Sequence, residues 1–183
     1  MRHVVLHAIA DGLAPDAVYQ RISDFRRYPE LTGTVRDVQV DTLADGSLVS
    51  DWTVLFRGGL MRWRERDTLS PETGSLTFEQ LDGDFQTFEG SWRCAPHDDG
   101  TLITFTAAFD LGIPTLADIL DPVAESTLRT NIAQIVAGLV QARVVDAGPA
   151  DGADAADAAD ATGVHGVNGS EVTDERAVAP ARG

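Results

Sequence analysis

Between residues 35 and 110 the chain alternates apolar and polar positions with a period of two, interrupted at short intervals by turn residues. The alternating or apolar stretches are 35–43, 47–57, 60–69, 75–81, 85–95 and 101–110, separated by "ADG", "GG", "SPETG", "DGD" and "HDDG". Connections this short predict consecutive antiparallel hairpins rather than parallel crossovers. Ahead of them, "HVVLHAIA" reads as a first strand. "APDAVYQRISDF" reads as a helix, with Pro15 suited to the first turn and Val18, Ile22 and Phe25 at helical spacing, and "YPEL" ends it at a proline. After "GIP" the period becomes helical. Ile119, Leu120, Val123, Leu128, Ile132, Ile135, Val136 and Leu139 form an apolar stripe over more than five turns. The predicted order is strand, short helices, six-strand meander and long terminal helix, an α+β fold in which one sheet wraps around one helix.

One stretch of the meander, "FRGGLMRWRERDTL" from Phe56 to Leu69, carries four arginines within ten residues. A hairpin loop at Gly58-Gly59, flanked by Arg57 and Leu60, would fix its register. Phe56 then faces Met61, Val54 faces Trp63, Trp52 faces Glu65, and Ser50 faces Asp67. On the opposite face Leu55 meets Arg62, Thr53 meets Arg64, and Asp51 pairs with Arg66. One face is aromatic with two acids at its far end; the ionic face belongs to solvent. The same parity turns Phe88, Gly90 and Trp92, and Ile103, Phe105, Ala107 and Phe109, to one side. Trp52, Trp63, Trp92, Phe88, Phe105 and Phe109 should therefore converge beneath the terminal helix. Gly90, among large neighbours, leaves room on the inner face; such a glycine more often marks a bulge or close packing than a cavity.

The inward parity singles out Glu65. A carboxylate beside Trp52 and Trp63 would be desolvated, and its pKa would rise toward that of a useful acid or base. Asp67, two residues further on, joins Glu65 in the candidate catalytic set and is expected nearer the rim and solvated. Arg66 belongs to the candidate catalytic set on the alternative that a one-residue shift turns it inward. Tyr28, Trp52, Val54, Trp63, Phe88, Trp92, Phe105, Phe109 and Asn131 are the candidate ligand-binding residues.

Composition narrows the classes. The chain has 183 residues and a formal net charge of -15, with every basic residue an arginine. That balance argues against nucleic acid as a partner, because counterion release needs clustered cations. Cys94 stands alone, so no intrachain disulfide forms and a reducing compartment is suitable. The N-terminus is too short and interrupted for a signal peptide, and no apolar run spans a bilayer, so a cytoplasmic protein without membrane insertion is expected. His3 and His7 lack a third ligand at metal spacing, and no phosphate loop or nucleophile elbow occurs; no metal or cofactor is expected. After Asp146 the composition turns to alanine, glycine and aspartate. Residues 147–183 read as a disordered acidic tail after a folded domain over 1–146.

The motifs "AP-DAVY", "DFRRYPEL", "MRWRERD", "GSWR", "GTLITFTAAFDLGIP" and "LRTNIAQIVAGL", in this order over about residues 3–143, resemble the START-type helix-grip superfamily. Within it the resemblance is to bacterial polyketide aromatase/cyclases and to coenzyme-Q-binding and lipid-transfer proteins. The resemblance implies a curved antiparallel sheet of about seven strands around the C-terminal helix. It also implies a deep apolar cavity for a polyketide, quinone or lipid-like molecule. Such cyclases use a tyrosine after the "PEL" motif, an arginine in the cavity and a histidine in the terminal helix; here those positions hold Val35, Glu65 or Asp67, and Val123. The expected function is a polyketide cyclase of secondary metabolism, such as antibiotic biosynthesis, promoting aldol closure and dehydration. Glu65 would act as base, with Arg66, Tyr28 or water polarising the carbonyl, and an acyl carrier protein would be a further partner. The alternatives are a carrier of a quinone, lipid or polyketide intermediate and, more remotely, a ribosome-associated interaction module.

Overall fold

The computed structural model describes residues 1–145; the segment read as an acidic tail lies outside the described residues. Eight strands form one antiparallel sheet: β1 (Arg2–Asp11), β2 (Val35–Thr42), β3 (Leu48–Phe56), β4 (Gly59–Ser70), β5 (Ser75–Gly83), β6 (Thr87–His97), β7 (Gly100–Asp110) and β8 (Arg143–Val145). Their order across the sheet is β2-β3-β4-β5-β6-β7-β1-β8. The six-strand meander is thus contiguous, and β1 closes against its last strand, with Leu6 opposite Phe105. The helices are α1 (Pro15–Ser23), α2 (Tyr28–Leu31) and α3 (Ala117–Val140). The curved sheet with its long C-terminal helix is the helix-grip arrangement.

Several local features differ from expectation. "YPEL" does not simply stop a helix. Pro29 lies in the opening turn of the short α2, and Tyr28 at its start is buried. β8 is a strand that three residues give no periodicity to announce; it pairs His7–Ile9 of β1 with Arg143–Val145. The β3–β4 turn is Arg57-Gly58 rather than Gly58-Gly59. Both residues have positive φ (50° and 83°), as a primed two-residue turn requires. Pairing therefore slips by two residues, placing Trp52 opposite Trp63, Ser50 opposite Glu65, and Asp51 opposite Arg64. A slip of two leaves every side chain on its expected face.

The core is the inner face of the sheet beneath α3. Phe105, Phe109, Ile103, Leu76 and Val4 are almost wholly buried there. Burial of the α3 stripe begins at Ala124 and continues through Leu128, Ile132, Ile135, Val136 and Leu139. Ile119 is exposed, so the first turns of the helix do not share in the packing. Pro122 lies in this segment and removes one helical hydrogen bond. At Gly90 the strands pack without room for a side chain, because a Cβ would overlap Thr106 O and lie 2.6 Å from Phe78 Cζ.

Candidate functional site

The two central strands of the aromatic face define a cavity. β3 supplies Trp52 and Val54 to it, β4 supplies Trp63, Glu65 and Asp67, and β6 and β7 supply Phe88, Trp92 and Phe105. Phe25 and Tyr28 close one side from the α1–α2 region, and Leu128, Asn131, Ile132 and Ile135 of α3 form the roof. Strand alternation explains this gathering, since residues i, i+2 and i+4 point to one face. The space enclosed is about 80 Å³. That is far below the ~300–1,000 Å³ of typical small-molecule sites, so the deep cavity implied by family resemblance is largely filled by the protein's own rings.

The rings touch in a continuous array. Trp52 and Trp63 stack with centroids 6.0 Å apart and planes 8° apart. Phe25 and Tyr28 pack on Trp52 at 5.3 and 5.4 Å. Toward the other end, Phe85 stacks on Phe88 at 4.7 Å and meets Trp63 at 5.9 Å. Phe85 lies in the connection between β5 and β6, tied down by a hydrogen bond from Gln80 Nε2 to its carbonyl at 2.8 Å.

Within this apolar array sit two carboxyls. Glu65 is 5% exposed and Asp67 is fully buried. Asp67 is therefore not a rim residue: β4 runs on to Ser70, and the carboxyl is covered from within. Ser50 Oγ donates to Asp67 Oδ2 at 2.6 Å, and Trp52 Nε1 donates to Ser50 Oγ at 2.8 Å. Trp63 Nε1 donates to Glu65 Oε2 at 2.6 Å. No fixed N–H or O–H donor reaches Asp67 Oδ1, leaving it for a proton held by Glu65 or for a ligand.

Both acids hold protons more tightly than free carboxyls. Burial is the largest influence on Glu65, followed by the nearby Asp67 charge, and together they push it well above the usual range despite the Trp63 hydrogen bond. Burial also raises Asp67, to about 6, with the Ser50 hydrogen bond opposing the rise. Burial and mutual proximity thus favour the protonated form of both acids. Tyr28 is pushed well above its ordinary value, first by burial and then by the charges of Asp67 and Glu65.

The other candidates divide. Tyr28, Trp52, Val54, Trp63, Phe88, Trp92, Phe105 and Asn131 line the cavity, whereas Phe109 is buried beside it, against Phe85 at 6.2 Å. Arg66 stands on the opposite face of β4, in a polar depression with Thr68, Thr77 and Glu79. The strict alternation of β4 excludes it from the cavity. Arg64 likewise faces outward, 3.9 Å from Asp51, where Arg66 was expected to pair. The Tyr28 hydroxyl is committed to Ile22 O at 2.6 Å, and Asn131 Nδ2 donates to Leu55 O at 2.8 Å. Neither Arg66 nor the Tyr28 hydroxyl is therefore placed to polarise a carbonyl in the cavity.

Sequence reasoning missed Ser50 and Phe85. Ser50 shares the inward parity of Trp52 and was legible as a buried hydroxyl. Phe85 opens the predicted stretch 85–95, where its parity with Thr87 and Glu89 assigns it to the outer face; in the structure β6 begins at Thr87, and Phe85, in the connection before it, lines the cavity. Among the described residues no group of three or more His, Cys, Asp or Glu side chains is arranged to hold a metal ion. No helix there is long and apolar enough to cross a membrane.

A family model described as polyketide cyclase / dehydrase and lipid transport matches residues 12–136. No curated protein matches the sequence. Among solved structures, a protein from Thermus thermophilus superposes with a TM-score of 0.71 at 23% identity, over 76% of this chain and 95% of that one. The Zhui aromatase/cyclase from Streptomyces sp. R1128 gives 0.66 at 18% identity, over 76% and 92%. A START superfamily protein from Mycobacterium smegmatis gives 0.65 at 19% identity, over 76% and 97%. At these identities the likeness is one of fold.

Proposed function

Because the chain belongs to the polyketide cyclase / dehydrase and lipid transport family, we propose that it is a polyketide cyclase or aromatase that closes a poly-keto chain by aldol addition and loss of water. The observation that carries this reading is the pair of buried carboxyls, Glu65 and Asp67, within an aromatic cavity. An ionised Asp67 removes a proton α to a carbonyl while Glu65 gives its proton to the carbonyl oxygen, so an enol forms without net charge developing. The enol carbon then attacks a second carbonyl. The enol proton returns to Glu65, and the new alkoxide takes the proton from Asp67. In dehydration Asp67 takes a second α-proton, the β-hydroxyl leaves as water with the Glu65 proton, and the proton on Asp67 passes back to Glu65. The aromatic walls hold the chain curled, which removes much of the entropic barrier to ring closure. A ligand of that size must displace rings, and Phe85, on a connection rather than a strand, is the side chain that gives way.

The test is closure of a linear poly-β-keto thioester, followed by mass and absorbance, with the wild-type protein and with Glu65→Gln and Asp67→Asn. The expected result is rate acceleration by the wild type and a loss of about 10²-fold or more in either variant. Full activity in folded variants would remove the carboxyls from the mechanism. A second reading, a carrier of a quinone, lipid or polyketide intermediate, is favoured by the predominance of apolar lining residues. It predicts binding of the thioester with no acceleration by any form of the protein.

A further inference from the structure

The cavity's charges and donors are one-sided. Its ionisable acids are Glu65 and Asp67, and no arginine or histidine is among the side chains that line it. The arginines of β4 stand on the other face of the sheet. The donors nearest the acids are already engaged: Trp52 Nε1 with Ser50, Trp63 Nε1 with Glu65, and the Tyr28 hydroxyl with Ile22 O. What the walls leave open is an acceptor, the buried Asp67 Oδ1. The rest of the lining is aromatic and aliphatic and suits an apolar ligand body.

We propose that this cavity is a binding site for an aromatic ammonium compound, the ammonium lying against Asp67 Oδ1 and Glu65 and the ring among Trp63, Phe85 and Phe88. A protonated amine brings donors for the open Asp67 Oδ1 and a charge that opposes the carboxylate. A carboxylate of the same shape meets a like charge in a desolvated space with no cation to offset it. The inference uses the cavity of the preceding section but goes beyond its reaction, because no keto substrate or catalytic step is needed for it.

The experiment is calorimetric titration of the full chain at pH 7.5 with three probes of one shape: 2-phenylethylamine, 2-phenylethanol and phenylacetate. Phe85→Ala is titrated in parallel, so that room does not limit binding, and Glu65→Gln/Asp67→Asn reports the contribution of the pair. The amine is expected to bind about tenfold or more tighter than the alcohol, and phenylacetate more weakly than either. The double substitution should abolish the amine's advantage. The proposal is overturned if the amine binds neither the native protein nor Phe85→Ala, or binds no tighter than the alcohol. It is equally overturned if phenylacetate matches the alcohol. Retention of the amine preference in the folded double variant would also overturn it, assigning the preference to the acidic surface. Failure of the keto thioester to cyclise leaves this result untouched, and failure of the amine to bind leaves the cyclase reading untouched.

Discussion

Ser50 Oγ sits between Trp52 and Asp67, accepting from the indole at 2.8 Å and donating to the carboxylate at 2.6 Å. It is the hydrogen bond that most opposes the burial-driven rise of the Asp67 pKa. Ser50→Ala removes it and leaves the Trp52 N–H without its acceptor. The Asp67 pKa should move above about 6, carrying the acid limb of any Asp67-dependent pH–rate profile toward alkaline pH. Stability at pH 7 should fall by about 1–3 kcal/mol, read from urea denaturation.

The carboxyl pair also sets how stability responds to pH. Asp67 is raised from 3.8 to about 6 in the folded state, so the folded chain holds a proton that the unfolded chain releases. The unfolded state then binds fewer protons between those values, and stability falls as pH rises through that window. The elevated pKa of Glu65 extends the loss to higher pH. For Asp67 alone the difference between acid and neutral solution is on the order of 2–3 kcal/mol. Asp67→Asn should flatten this part of the curve and raise Tm above wild type at pH 8, as thermal unfolding from about pH 3.5 to 8 would measure.

Arg66 separates face from sequence neighbourhood. It lies between Glu65 and Asp67 in the chain yet points to the opposite side of the sheet. Arg66→Ala should leave thioester closure and amine binding unchanged and shift stability by no more than about 0.5 kcal/mol. An effect on either function would mean that the outer face takes part.

The β3–β4 turn asks an arginine to adopt a φ of 50°, a conformation costly for a side chain of its kind. Asparagine tolerates it better, and Asn-Gly is a favoured pair for a two-residue primed turn. Arg57→Asn should therefore stabilise the protein by about 0.5–1 kcal/mol, seen as a higher denaturation midpoint with an unchanged slope.

What the sequence conveyed and what it withheld divide along physical lines. Alternation is a local property, so the inward set of Trp52, Trp63, Phe88, Trp92 and Phe105 was readable despite a pairing error of two residues. Turn conformation is less local. "RGG" contains two possible two-residue turns, and the strand lengths select the one that uses Arg57. The depth of Asp67 depends on what α1 and α2 cover, which no spacing within β4 conveys. The cavity is also lined by Phe85, which alternation assigns to the outer face of a strand over 85–95 but which lies in the connection before β6 and turns inward.

The last three described residues have a consequence beyond topology. β8 occupies the outer hydrogen-bonding groups of His7–Ile9, while Arg129 Nη1 reaches across from α3 to Val5 O at 2.7 Å. Together they shield the flank that β1 would otherwise offer as a template for a strand from another molecule. At the opposite flank, β2 presents Arg36, Asp37 and Asp41 to water, charges that discourage such an addition. Among the described residues the sheet therefore guards one margin with its own chain and the other with charge, two devices that disfavour edge-to-edge addition.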